Sequence, residues 1–180
     1  MIWTTRPRSR VGSLAAICAG QGPSVTLLHG VGLNADAWGV QIDALSQDYG
    51  VTAFDMAGHG DSAGLKKAVP TLSDYVDAVR VNLTSPTVVV GHSMGAMIAL
   101  KLAQDPAVIG VVALNAIYQR TPMASAAVRA RATQLRDEPS IDPEPTLMRW
   151  FDDLTSPEAM ACETWLRTVP MDGYRAAPHP

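Results

Sequence analysis

Two cysteines in 180 residues, Cys18 and Cys162, are too few and too far apart for a disulfide framework or a cysteine metal site. Their scarcity leaves a reducing cytoplasm as the expected setting. Charge is sparse too. Asp, Glu, Lys and Arg make up 17% of the chain, the net charge is −3, and no basic run is interleaved with aromatics. Nucleic acid and an anionic membrane surface are therefore set aside as partners. No apolar stretch reaches membrane-spanning length. Repeats and low-complexity tracts are missing, which excludes solenoids and disordered linkers. Neither G-x-G-x-x-G nor a phosphate loop occurs, so no cofactor is expected, and no metal site.

What is present is apolar. The hydrophobic share of 47% reads as one globular domain, or a core carrying a small lid. Arg6, Arg8 and Arg10 ahead of VGSLAAICAG loosely resemble a signal peptide, but Gly12 and Ser13 interrupt the short apolar part. A strand over Val11–Ala19 is the expectation instead. Ser24–Leu28, Val51–Phe54, Thr87–Val90 and Val108–Leu114 are further short apolar runs, read as strands. Helices are expected over Asp36–Tyr49, after the candidate cap Thr71, and over Met94–Gln104. Strands alternating with helices predict an α/β domain, its mostly parallel sheet covered on both faces. Beyond Gln119 the strand signals stop. Helices are expected over Ala126–Arg136, Leu147–Phe151 and Glu158–Val169, so the chain divides into a core, 1–119, and a helical cap or lid, 120–180.

Ligands of parallel sheets bind beyond the carboxyl ends of the strands. The sharpest signal lies there, in TVVVGHSMGAM, residues 87–97. A serine on a tight strand-to-helix turn has its hydroxyl lifted from the sheet. Gly91 and Gly95 omit side chains that would collide where strand and helix approach. The following helix offers free N–H groups and a positive dipole end to a developing oxyanion. Ser93 is thus the candidate nucleophile, and the N–H groups of Met94 and Val31 are the candidate oxyanion donors.

LLHGVGLNADAW, TAFDMAGHGDS and VVVGHSMGAMIAL, in that order and spacing, resemble the oxyanion loop, the next strand's loop and the nucleophile elbow of the α/β-hydrolase family. The likeness runs from about Val11 to Tyr118. It is greatest for small esterase- and lactonase-type members such as 3-oxoadipate enol-lactonase. TPMASAAVRARATQL resembles the start of that group's cap. Ser93, rather than aspartate, at the nucleophile position argues against a haloalkane dehalogenase. The resemblance implies hydrolysis of a small carboxylic ester or lactone through an acyl-enzyme. It also implies that two sheet strands, the triad acid and the triad histidine are absent from this sequence.

No residue stands out as the base that a serine needs. His29 belongs, with Gly30, to the oxyanion loop, and the resemblance implies that the two shape that loop. His59 sits in the glycine loop after the second buried strand. His92 adjoins the serine, but neighbouring side chains on such a turn point apart. His179 lies on a proline-flanked tail and would have to swing in. For the acid, Asp55 and Asp61 lie in the glycine-rich loop, and Asn115 and Ala116 stand where some members carry the carboxylate. Trp38, Trp150, Trp165, Met148 and Phe151 could touch substrate, although plain helix packing accounts for them equally well. Arg129, Arg131 and Arg136 read as a solvated face. Two functional readings stay open: a serine hydrolase, or a truncated or pseudoenzyme form that binds a ligand or partner without efficient turnover. The second rests on Val108–Leu114. As a sheet edge, that strand could pair with another copy or with a separate chain supplying the missing parts.

Overall fold

The computed structural model describes residues 5–117, 119–135 and 138–178. His179 and Arg136 lie outside them, and the side chain of Arg131 is likewise not described. Six strands form one sheet among the described residues: β1 (Ser9–Val11), β2 (Leu14–Ala19), β3 (Ser24–Leu28), β4 (Gly50–Phe54), β5 (Thr87–His92) and β6 (Val108–Leu114), in the order β1-β2-β4-β3-β5-β6. Pairings β4–β3, β3–β5 and β5–β6 are parallel, while β1–β2 and β2–β4 are antiparallel.

The expected single strand over Val11–Ala19 is a hairpin. Gly12 adopts φ +58°, and Val11 pairs with Leu14 across the Gly12-Ser13 turn. The interruption in the apolar run is the turn itself, since glycine takes a left-handed conformation without steric penalty.

Side chains alternate between two cores, as the pleat requires. Leu14, Ala16, Leu28, Phe54 and Val89 face α2 (Leu72–Arg80) and α3 (Met94–Leu102) through Tyr75, Val76, Val79, Ile98 and Leu102. Ile17, Val25, Leu27, Val51 and Ala53 face Trp38 and Ile42, from a 3₁₀ turn (Ala35–Trp38) that runs into α1 (Gly39–Leu45). Helices thus cover both faces of a mostly parallel sheet. Thr71 does start α2, in a capping box with Asp74.

At β6 the cover thins. Val108 and Val111 pack against the first core, whereas Ile109 (67% exposed), Val112 and Leu114 face outward. β6 pairs only with β5, so it is a sheet edge among the described residues.

Helices follow: α4 (Pro122–Gln134), α5 (Glu144–Trp150), α6 (Pro157–Thr168) and α7 (Met171–Ala176). Helix α7 was not expected. It seats backbone to backbone on the loop after β4, where a Cβ on Gly173 would lie 1.8 Å from the Gly58 carbonyl oxygen. Arg175 ties α7 to the end of α4 by donating to the carbonyls of Leu135, at 2.9 Å, and Glu138. No helix among the described residues is long and apolar enough to cross a membrane.

Candidate active site

The three parallel strands that carry the signature loops end level. Leu28 is in register with Phe54 on one side and Gly91 on the other. Their loops therefore leave the sheet side by side. Ser93 follows β5 with φ 55° and ψ −114°, at the N-cap of α3. A non-glycine residue at positive φ holds strain of order 1–3 kcal/mol, which persists only when its surroundings enforce it. Two backbone bonds do so here: Ser93 N–H donates to Leu114 O at 2.9 Å, and Ser93 O accepts from Met97 N–H at 3.2 Å.

Both flanking glycines are sterically required. A Cβ on Gly91 would lie 2.1 Å from Gly95 O, and one on Gly95 would lie 2.1 Å from Leu28 O. Gly30 brings the loop after β3 against the turn, since a Cβ there would sit 3.2 Å from Ser93 Cβ. Met94 is the first residue of α3, so its N–H has no acceptor within the helix. Gly30, Val31, Ser93 and Met94 line one pocket of about 140 Å³.

Residues after β6 complete that pocket. Ile117, Arg120, Thr146, Arg149, Trp150, Leu166, Tyr174 and Pro178 supply its remaining walls. Trp150 is thus brought to Ser93, whereas Trp38 and Trp165 are not among the lining residues. Trp38 is buried in the second core and borders a separate cleft. Sequence reasoning missed Arg120, Arg149 and Tyr174. Nothing in the spacing of their neighbours marks them, because it takes the folding of the helical segment over the sheet to bring them in.

His29 Nε2 accepts the Met56 N–H at 2.9 Å, so its proton sits on Nδ1, which donates to Gly30 O at 2.7 Å. Both ring nitrogens are committed, and the ring clamps the β3 and β4 loops together. Complete burial, and then the nearby His59, push its pKa down to about 3. The sign follows by linkage. His29 is neutral when folded and takes up a proton more readily when unfolded. Its contribution is intact above pH 6.5 and is lost as pH falls from 6.5 toward 3, at about 1.4 kcal/mol per pH unit. Urea midpoints measured across that range should therefore fall less steeply for His29→Gln than for the wild type.

His59 is buried, with Nδ1 against Ala57 O at 3.2 Å and its ring 5.4 Å from that of His29. His92 faces the separate cleft, with His29, Trp38 and Gln41. Its Nε2 accepts from Asn115 Nδ2 at 3.3 Å, and burial lowers its pKa. No side chain among the described residues hydrogen-bonds the Ser93 hydroxyl.

Asp55 braces its loop. Its carboxylate accepts from Ala35 N–H at 2.8 Å, from Asp61 N–H at 2.9 Å and from Arg8 Nε at 3.0 Å. Arg8 also meets Asp36, with Nη2 2.9 Å from Oδ2. Burial opposes the charge of Arg8, but hydrogen bonds and attraction from the two carboxylates outweigh it and raise its pKa.

A mostly parallel sheet between helices, with a strained serine at a strand-to-helix turn, is the arrangement of the α/β-hydrolase fold, and the sequence pattern of the alpha/beta hydrolase family matches residues 27–179. The chain belongs to that family. It is 37% identical over 167 residues to (E)-2-((N-methylformamido)methylene)succinate hydrolase of Acinetobacter baylyi, covering 88% of this chain and 62% of the relative. It is 33% identical over 156 residues to pimeloyl-acyl-carrier-protein methyl ester esterase of Methylococcus capsulatus, covering 82% of this chain and 53% of the relative. The chain thus spans less than two thirds of either relative. The enol-lactonase of Burkholderia xenovorans superposes with a TM-score of 0.79 at 23% identity, over 94% of this chain and 71% of that structure, a likeness of fold.

Proposed function

We propose that this chain carries the nucleophile and oxyanion site of a serine hydrolase acting on a small carboxylic ester or lactone. The observation that supports it is the strained Ser93 opening into one pocket with Val31 and Met94. Ser93 Oγ attacks the carbonyl carbon. The N–H groups of Met94 and Val31 hold the resulting oxyanion, reinforced by the dipole of α3. Collapse expels the alcohol, or opens the lactone ring, and leaves an ester on Ser93 that water cleaves. The group that takes the serine proton is not assigned. An oxyanion site without a complete triad retains roughly 10³–10⁴-fold acceleration over water. On this reading 1–119 is the catalytic core and 120–180 the cap that roofs the pocket. The unpaired Cys18 and Cys162 suit a reducing compartment such as the cytoplasm.

A fluorophosphonate probe tests the assignment. Slow labelling that maps to Ser93 by peptide mass spectrometry, and disappears in Ser93→Ala, is the expected result. An unmodified Ser93 would remove the hydrolase reading. It would favour the second one, a binding form without turnover, which the outward-facing Ile109, Val112 and Leu114 on the β6 edge support as a surface for another copy or a partner chain.

A further inference from the structure

A cleft of about 570 Å³ opens between the loop after β4, helix α2 and helix α7, and Ser93 does not line it. Its size falls within the roughly 300–1,000 Å³ of ligand sites. Ala63, Leu65, Ala68, Pro170 and Ala176 give it apolar walls. Tyr75 of α2 lines it too, only 1% exposed and packed into the first core. The Tyr75 hydroxyl makes no hydrogen bond among the described residues. Its oxygen is not sealed inside the protein either, so the hydroxyl opens onto the cleft. Burial, and then the charge of Asp74, push its pKa up to about 12. It is therefore protonated at neutral pH, able both to donate a hydrogen bond and to accept one.

The charged side chains at the cleft already have partners. Lys67 Nζ holds both carboxylate oxygens of Asp74, at 2.8 and 2.9 Å. Arg175 donates to the carbonyls of Leu135 and Glu138, and it lies 3.6 Å from the Asp172 carboxylate. A charged ligand would have to break into these contacts, whereas a neutral one leaves them intact.

We propose that this cleft binds a small, neutral, mostly apolar molecule through one hydroxyl or carbonyl oxygen that pairs with the Tyr75 hydroxyl. The apolar walls cover its body, and its oxygen supplies the partner that the protein does not. The site is independent of the reading of Ser93 as nucleophile. It does share helix α7 with the serine pocket: Gly173, Arg175 and Ala176 line the cleft, and Tyr174 lines the pocket. An occupant therefore packs against the same short helix that walls the serine pocket.

Fluorine NMR titrations of the full chain test this with 4-fluorophenol and fluorobenzene, which share a ring and differ in the hydroxyl. 4-Fluorophenol is expected to saturate one site and to bind about fivefold more tightly than fluorobenzene, the worth of one neutral hydrogen bond. Tyr75→Phe, which removes only the oxygen, should bring the two compounds to equal affinity. Ala63→Trp, at an exposed position, should fill the cleft and abolish saturable binding of both. Thermal melts confirm that each variant is folded. No saturable binding of 4-fluorophenol, or equal affinity of the two compounds for the unaltered protein, would overturn the proposal. So would a preference that survives Tyr75→Phe, or binding that survives Ala63→Trp, since either would place the compound elsewhere.

Discussion

Replacing Gly95 with alanine is expected to destabilise the protein by more than about 3 kcal/mol. The added Cβ would lie 2.1 Å from Leu28 O, 2.6 Å from Leu28 C and 2.8 Å from His29 O. All three are backbone atoms at the end of β3, the central parallel strand, which is bonded on both sides. Overpacking a core costs about 1–3 kcal/mol where side chains can yield, and more where they cannot. Here β3 or α3 has to shift as a whole. The loss is a large part of the roughly 5–15 kcal/mol that holds a domain together. Gly64→Ala is the control, because nothing lies within 4 Å of its added methyl group, and its urea midpoint should barely move. A Gly95→Ala protein with a wild-type midpoint would show that strand and helix are not in contact at the serine.

The second large effect is expected at Arg8. One guanidinium serves two carboxylates that are almost fully buried, Asp36 and Asp55. Arg8→Met leaves both without their cation, and breaking a buried ion pair from one side costs about 3–5 kcal/mol. Arg167, paired with Glu163 on the exposed face of α6, gives the comparison. Arg167→Met should cost less than about 1 kcal/mol. Denaturant unfolding of the two variants side by side measures the difference. Similar losses would mean that the Arg8 cluster contributes no more than a surface pair.

The turn around Ser93 could be read from sequence because its causes are local. An apolar run, two glycines and an apolar helix follow one another with no gap, and each glycine has a steric reason that needs only its immediate neighbours. The β1–β2 hairpin was hidden because Gly12 and Ser13 look like a flaw in one strand until Val11 is seen paired with Leu14. Helix α7 was hidden for a different reason. It is six residues long, includes Gly173 and follows Pro170, so its propensity is poor and contact with the Gly58 loop stabilises it. The pocket arginines were beyond reach on the same account. Arg120 and Arg149 are 29 positions apart, and only the fold of the intervening chain brings them to one cavity. The periodicity that flagged Trp150 flagged Trp165 as well, since helical spacing marks apolar stripes without saying which neighbour each will meet.

The apposition of Gly58 and Gly173 bears on how a ligand reaches the serine. With no side chains between the two main chains, nothing at that point can rotate aside to make a doorway. Parting them would break the seat of α7 altogether. Tyr174, next along the helix, is thereby held at the cavity wall, while Arg149 and Trp150 of α5, which line the same cavity, stand exposed to solvent.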